Sequence, residues 1–216
     1  MNENARNVFN VVIAGTAGQG VITIKRLLEF VAAEAGFEWC FGSEMHGLAQ
    51  REGAISSHVR LQRKLHADPR RNVQSPSIAF GDADAFLGFE PVEVLRNGAF
   101  ASEKTTFVVN EHPIPPVLVN AGLQEYPRPE RLREILASYA GRVYLFDATE
   151  LAVEEFGDAQ KMNVLVLGAA LATGAMPPIP VEVYEKVIRR ELRDAELNVA
   201  ALRRGIEEGH RLVESS

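Results

Sequence analysis

Six polar side chains that could take part in catalysis lie close together in the first third of the chain. They are Ser43, Glu44, His46, Gln50, Arg51 and His58, referred to below as the polar cluster. Carboxylate and imidazole groups can transfer protons, and a guanidinium group can stabilise charge that develops during a reaction. The segments on either side are apolar, so we expect the polar cluster to be a site for a ligand or a partner. If residues 43–50 form a helix capped by Ser43, His46 and Gln50 share one of its faces.

Two familiar kinds of site do not match the polar cluster. His46, His58 and Glu44 could be assembled around a metal, but the H-x-x-x-H and H-E-x-x-H spacings are absent, and no metal ligand is predicted. Ser43 is not part of a G-x-S-x-G elbow, and Cys40 has no nucleophile motif around it. The alternative is structural: Ser43 caps a helix, Glu44 supports its N-terminus and His46 is a half-buried histidine.

A glycine-rich turn precedes the polar cluster. Gly15, Gly18 and Gly20 follow an apolar strand over 8–14 and lead into a helix pattern over 21–35. Such a turn presents backbone N–H groups and the positive end of the helix dipole, which favours an anionic ligand. The G-x-x-G-x-G spacing is not that of a dinucleotide fold, and no Lys-Ser or Lys-Thr follows as in a P-loop. The alternative is a turn that needs glycine only for close packing.

The elements that must position these residues alternate between strand and helix patterns. Strands are predicted over 8–14, 37–41, 54–61, 78–80, 105–110 and 143–147, and helices over 21–35, 43–50, 91–96, 131–139 and 161–173. Two further helices end the chain, the last with an apolar stripe that reaches Val213. The pattern predicts a single α/β domain over 1–216, with a mostly parallel sheet flanked by helices in a Rossmann-like three-layer arrangement and a helical C-terminal segment.

Composition excludes several classes of protein. Of 216 residues, 46% are hydrophobic and 24% charged, and the formal net charge of −6 argues against nucleic acid as the main partner. With one cysteine, the chain lacks the thiolates for an iron–sulfur cluster of its own. No signal peptide is visible, and the longest apolar stretch, around 164–172, is too short to span a bilayer. A cytoplasmic protein is expected.

Several motifs of this sequence occur together in one known family. They are GQGV at 18–21, SEMHGLAQR at 43–51, SHVR at 57–60, GDAD at 81–84, GFEP at 88–91 and NVLVLGAALATGAMP at 163–177. Together they resemble the gamma-type domain of the 2-oxoacid:ferredoxin oxidoreductases, whose members act on pyruvate, 2-oxoisovalerate and indolepyruvate. The length and the lack of cluster cysteines are most similar to the indolepyruvate type. The sequence departs from the family pattern at Ala17 and Glu52, where glycine is usual, and a carboxylate beside Arg51 bears on the choice of substrate or partner.

The resemblance implies a division of labour between subunits. Thiamine diphosphate and iron–sulfur clusters would lie on a partner alpha-type subunit, which decarboxylates a 2-oxoacid such as indolepyruvate or another arylpyruvate and passes electrons to ferredoxin. The present chain, inactive alone, would close the catalytic cavity and help to bind coenzyme A.

The same resemblance suggests roles for individual residues. The candidate catalytic residues are Glu44, His46 and Arg51. The candidate cofactor-binding residues are Gly15, Gly18, Gln19, Gly20, Ser43 and Gln50. The basic stretch from Arg60 to Arg71 is expected to meet nucleotide phosphates. Two other classes of function stay open, a stand-alone nucleotide- or coenzyme A-binding module and a structural subunit in which the polar cluster is interfacial packing.

Overall fold

The computed structural model describes residues 7–46, 53–115, 119, 121–123, 125–139 and 141–215, with His46 and Pro129 described by their backbone. Within these residues, six strands form one sheet in the order β2-β3-β1-β4-β5-β6. The strands are β1 (Val8–Thr16), β2 (Trp39–His46), β3 (Ala54–Gln62), β4 (Ala85–Gly88), β5 (Thr106–Asn110) and β6 (Arg142–Phe146). The helices are α1 (Val21–Glu34), α2 (Pro91–Arg96), α3 (Pro129–Tyr139), α4 (Ala148–Phe156), α5 (Met162–Ala172), α6 (Val181–Glu191) and α7 (Ala195–Glu214).

The sheet is mostly parallel. β1, β4, β5 and β6 pair in parallel, whereas β3 is antiparallel to both β1 and β2. β2 therefore runs in the same direction as β1, one strand away, and the carboxyl ends of all the strands except β3 lie at one edge of the sheet. This edge, called the carboxyl edge below, is where open α/β sheets bind their ligands.

Helices cover both faces of the sheet, which gives the predicted three-layer arrangement. One face packs its buried aliphatic side chains against α1, α4, α5, α6 and α7, and the other packs against α2 and α3. The strands alternate between the two cores, with Ile13 in the first and Val12 in the second. Helix α5 is buried nearly all round, because α7 packs across it so closely that a Cβ on Gly168 would overlap with the backbone of Leu202. No helix of the described residues is long and apolar enough to cross a membrane.

The structure corrects several of the predicted elements. Residues 78–80 do not form a strand, and the strand that follows is instead the four-residue β4, which the sequence pattern missed. Helix α4 was also missed, although Asp147 caps its first turn by accepting the N–H of Glu150 at 2.7 Å. The apolar stripe of α7 ends early, since Val213 is 44% exposed.

The predicted helix over 43–50 is wrong for the residues that are described. β2 continues through Ser43 and Glu44 to His46, each in register with a residue of β3. Ser43 therefore does not cap a helix, and His46 lies at the end of a strand rather than within a helix. Cross-strand pairing with β3 decided the conformation of this segment, and sequence spacing alone does not reveal such long-range pairing.

Candidate functional site

The glycine turn lies at the carboxyl edge, between the end of β1 and the start of α1. Gly18 and Gly20 adopt φ of 88° and 84°, a left-handed conformation that favours glycine. The N–H of Ala17 donates to the carbonyl of Gly53 at 2.8 Å, which ties the turn to the start of β3. A Cβ on Gly18 would meet no atom of the described protein within 4 Å, so the backbone there is open to an approaching group.

Gly20 is the N-cap residue of α1 and supplies no side-chain acceptor for the first N–H groups of the helix. Those groups have no partner within a helix, so they are left to a ligand, a partner or water. Four of the six predicted cofactor-binding residues lie in this turn, and two of them, Gly18 and Gly20, have a left-handed backbone. The other two residues of the turn differ. Gly15 is buried at the end of β1, where a Cβ would crowd Phe89 and Val21, and Gln19 is buried with its carboxamide directed into the protein.

Ser43 and Glu44 point to opposite faces of the sheet, as neighbours in a strand do. The Oγ of Ser43 donates to the carbonyl of Pro76 at 3.4 Å. Glu44 lies on the α1 side, where its carboxylate accepts a hydrogen bond from Lys25. Of these two, Glu44 faces the helix that follows the glycine turn.

The glycine turn and the end of β2 converge at the carboxyl edge. In the sheet register Ile55 of β3 is opposite Gly15 on one side and His46 on the other. Two strand spacings separate β1 from β2, so these backbones lie about 10 Å apart. A ligand resting on the turn would therefore be within reach of groups at the end of β2.

Part of the polar cluster lies outside the described residues. Gln50 and Arg51 fall in the segment 47–52, and for His46 only the backbone position is known. Their roles remain predictions. The two ends of that segment, His46 and Gly53, both lie at the carboxyl edge.

His58 belongs to the core rather than to the site. Its side chain is 1% exposed, its Nδ1 accepts the N–H of Ile78 at 3.1 Å, and its ring packs edge-on against Phe100 with 4.5 Å between centroids. Burial, with the nearby charge of Arg60, lowers the pKa of His58 to about 4. The imidazole is therefore neutral at physiological pH and acts as a structural acceptor.

The basic stretch lies at the wrong end of the sheet for the role that was expected of it. β3 ends at Gln62, opposite Val8 at the start of β1, so residues 63–71 follow on the edge away from the glycine turn. The length of β1 separates them, about 26 Å at 3.3 Å per residue. Arg60 is also occupied, because it donates to Asn10 and to the carbonyls of Ser75 and Ser77.

The sequence analysis missed a set of buried amides behind the glycine turn. Asn163 and Asn110 are 8% and 0% exposed and bond to the backbone around the turn and the end of β4. Asn163 opens one of the recognised motifs, which was the available signal, whereas nothing local distinguishes Asn110. Among the described residues no group of three or more His, Cys, Asp or Glu could hold a metal ion.

Comparisons with known proteins identify the family of this chain. The family model for pyruvate ferredoxin/flavodoxin oxidoreductases matches residues 10–208. The indolepyruvate oxidoreductase subunit IorB of Pyrococcus horikoshii is 34% identical over 201 residues, which cover 92% of this chain and 94% of that one.

Solved structures share the fold at low sequence identity. The gamma subunit of a keto/oxoacid ferredoxin oxidoreductase from Geobacter sulfurreducens superposes with a TM-score of 0.64 at 20% identity, over 93% of this chain and 98% of that one. A 2-oxoglutarate:ferredoxin oxidoreductase from Magnetococcus marinus, solved with 2-oxoglutarate, coenzyme A and succinyl-CoA, gives 0.64 at 16% identity. The match covers 98% of this chain but only 32% of that one.

Proposed function

Because the chain belongs to the pyruvate ferredoxin/flavodoxin oxidoreductase family, we propose that it is the cluster-free subunit of a 2-oxoacid:ferredoxin oxidoreductase. The reaction would convert a 2-oxoacid and coenzyme A to an acyl-CoA and carbon dioxide, with two electrons passed to ferredoxin. Indolepyruvate or another arylpyruvate is the proposed substrate, from the likeness to the IorB subunits. The observation that carries the proposal is the convergence of the glycine turn and the end of β2 at one edge of the sheet.

The cofactors of the reaction are assigned to a partner alpha-type subunit. Thiamine diphosphate supplies the carbanion chemistry of decarboxylation, and iron–sulfur clusters carry the electrons. The residues of this chain do not fit a cluster, since Cys40 is the sole cysteine and burial raises its pKa to about 12, which disfavours the thiolate that binds iron. The structural match covers only about one third of the Magnetococcus chain, which supports a partner that provides the remaining parts.

The chain itself would form one wall of the catalytic cavity. The open backbone at Gly18 lets a bulky group approach closely, and the N–H groups at the start of α1 can face an anionic part of coenzyme A or of the 2-oxoacid. Glu44 would place a fixed negative charge beside the reacting groups, and Arg51 and His46 would add polar contacts that exclude water. The open turn would leave room for the arm of coenzyme A, since a Cβ on Gly18 would meet no described atom within 4 Å.

Reconstitution with a partner tests the proposal. The purified chain should show no 2-oxoacid-dependent reduction of ferredoxin or of a viologen dye, and co-expression with an alpha-type subunit should restore it. Indolepyruvate, pyruvate and 2-oxoglutarate compared in parallel should give the highest kcat/KM for indolepyruvate. Turnover by the isolated chain would refute the division of labour, and tight coenzyme A binding without any activity in the complex would favour a stand-alone binding module.

A further inference from the structure

The side chain of Gln19 lies at the carboxyl edge between the ends of β1 and β4. Its Oε1 accepts the N–H of Thr16 at 2.7 Å and lies 3.1 Å from the Thr16 hydroxyl, while its Nε2 donates to the carbonyl of Phe89 at 2.9 Å. The side chain bridges the end of β1 to the residue that follows β4. In open α/β sheets a ligand usually enters at the point where the strand order reverses, and here that point lies between β1 and β4.

Asn163 holds the same turn from the other side. It lies in the first turn of α5, and its Nδ2 donates to the backbone carbonyl of Gln19 at 3.1 Å, across 144 positions of sequence. Its carboxamide lies so close to Gly20 that a Cβ there would overlap with it. A third amide, on Asn110 of β5, donates to the carbonyl of Phe89 at 3.0 Å, so that carbonyl accepts two hydrogen bonds.

These buried amides fix the orientation of the glycine turn. Its inner side is occupied by Gln19 and Asn163, whereas Ala17 and Gly18 are exposed and Ala17 bonds to Gly53 just before β3. Leaving a buried donor or acceptor unsatisfied costs about 1–3 kcal/mol, so the hydrogen-bonded arrangement is strongly preferred over one in which the turn moves.

We propose that Gln19 and Asn163 are positioning residues that fix the glycine turn from behind. They block entry of a ligand between β1 and β4 and direct the open backbone of Gly18 toward the end of β2. Neither side chain touches the ligand. The kinetic consequence rests on the proposed function, whereas the conformational consequence can be measured on the chain alone.

Asn163→Asp tests the proposal, because it keeps the size of the side chain and removes the donor to Gln19. Asn198→Asp is the matched control. Asn198 is similarly buried, at 6%, and donates to the carbonyl of Arg193 at 2.7 Å near the start of α7. Asn163→Ala and Asn198→Ala repeat the comparison without a new charge, in case an aspartate prevents folding.

The first readout is amide hydrogen exchange in the isolated chain. We expect the amides of Ala17 and Gln19, which donate to Gly53 and Thr16, to exchange at least about 10-fold faster in the Asn163 variants than in the wild type. In the Asn198 variants they should exchange at wild-type rates. Equal exchange in all the chains would overturn the positioning role, whether or not the complex is active.

The second readout is steady-state kinetics of the reconstituted complex. In the Asn163 variants the KM for coenzyme A should rise about 10-fold or more, as small displacements of a binding group produce. The Asn198 variants should lose similar thermal stability and keep the wild-type KM. An unchanged KM in the Asn163 variants, or the same rise in both sets, would contradict the proposal. A wild-type complex without turnover would refute the proposed function. The hydrogen-exchange comparison on the isolated chain would then still decide whether Asn163 positions the turn.

Discussion

Glu44 on β2 and Lys25 on α1 form a hydrogen-bonded ion pair, with 3.1 Å between the carboxylate oxygen and Nζ. Glu29, one turn further along α1, lies 3.4 Å from the same ammonium. Burial acts to lower the pKa of Lys25, but the hydrogen bond that Lys25 donates to Glu44 and the charge of Glu29 outweigh it, and the net pKa is raised. Lys25 thus stays charged and links the candidate catalytic carboxylate to the helix that follows the glycine turn.

Substituting each of the two carboxylates around Lys25 in turn distinguishes a charge that acts in catalysis from one that only supports the structure. Glu44→Gln should lower the turnover of the reconstituted complex about 10-fold, because a charge at the cavity wall acts on reacting groups. Glu29→Gln is the matched control, since it removes an equivalent contact to Lys25 away from the polar cluster, and it should stay within about 2-fold of the wild type. Equal losses in kcat, measured with both variants fully assembled, would assign Glu44 to packing alone.

Alanine at the two glycines of the turn should differ in effect. Both residues have positive φ, which costs an alanine roughly 1 kcal/mol. A Cβ on Gly18 meets no described atom within 4 Å, whereas one on Gly20 overlaps with Asn163. We expect Gly18→Ala to reduce the free energy of unfolding by about 1 kcal/mol and Gly20→Ala by about 3 kcal/mol or more. Urea denaturation measures both, and equal losses would show that Asn163 does not hold the turn.

The buried His58 makes stability depend on pH. Its pKa is about 4 in the folded chain, below the ordinary value of 6.5, so the unfolded chain binds the extra proton first as pH falls. The free energy of unfolding should therefore decrease by about 2 kcal/mol between pH 7.5 and pH 5 through this residue. His58→Gln, which can still accept the N–H of Ile78, should remove that part of the decrease. The same pH dependence in both proteins would contradict the burial of a neutral imidazole.

Cys40 should be an unreactive thiol. Burial, together with the charge of Glu29, raises its pKa to about 12, so very little thiolate exists at pH 8. We expect an aromatic disulfide reagent to modify the folded chain more than about 100-fold more slowly than the chain unfolded in urea. The unfolded chain serves as its own control, because this is the single cysteine. Comparable rates in the two states would place the thiol at an open site.

The sequence predicted the fold well where local patterns decide it. Apolar runs and helical periodicity located β1, α1, β3 and α5 to within a few residues, since each buries a continuous face against the core. β4 was not predicted because its four residues are too few to show a pattern, although it pairs with strands on both sides in the centre of the sheet.

The candidate site was less predictable, because its parts depend on contacts between distant residues. The polar segment at 43–46 was predicted to begin a helix, but it pairs with β3 as a strand. The side chains of Ser43 and Glu44 therefore point to opposite faces of the sheet. Gln19 was predicted to bind a cofactor, and in the structure its side chain forms hydrogen bonds with the backbone of Thr16 and Phe89. The register of β1 and β3, which sends the basic stretch to the far edge, cannot be derived from composition.

An experimental structure of the chain bound to an alpha-type subunit would test the central claim most directly. We predict that the partner approaches the carboxyl edge and comes within about 4 Å of both the glycine turn at Gly18 and the end of β2 near Glu44, with the catalytic cavity between the two chains. A complex in which the partner binds elsewhere and leaves both segments in solvent would contradict the claim that they form one cavity wall.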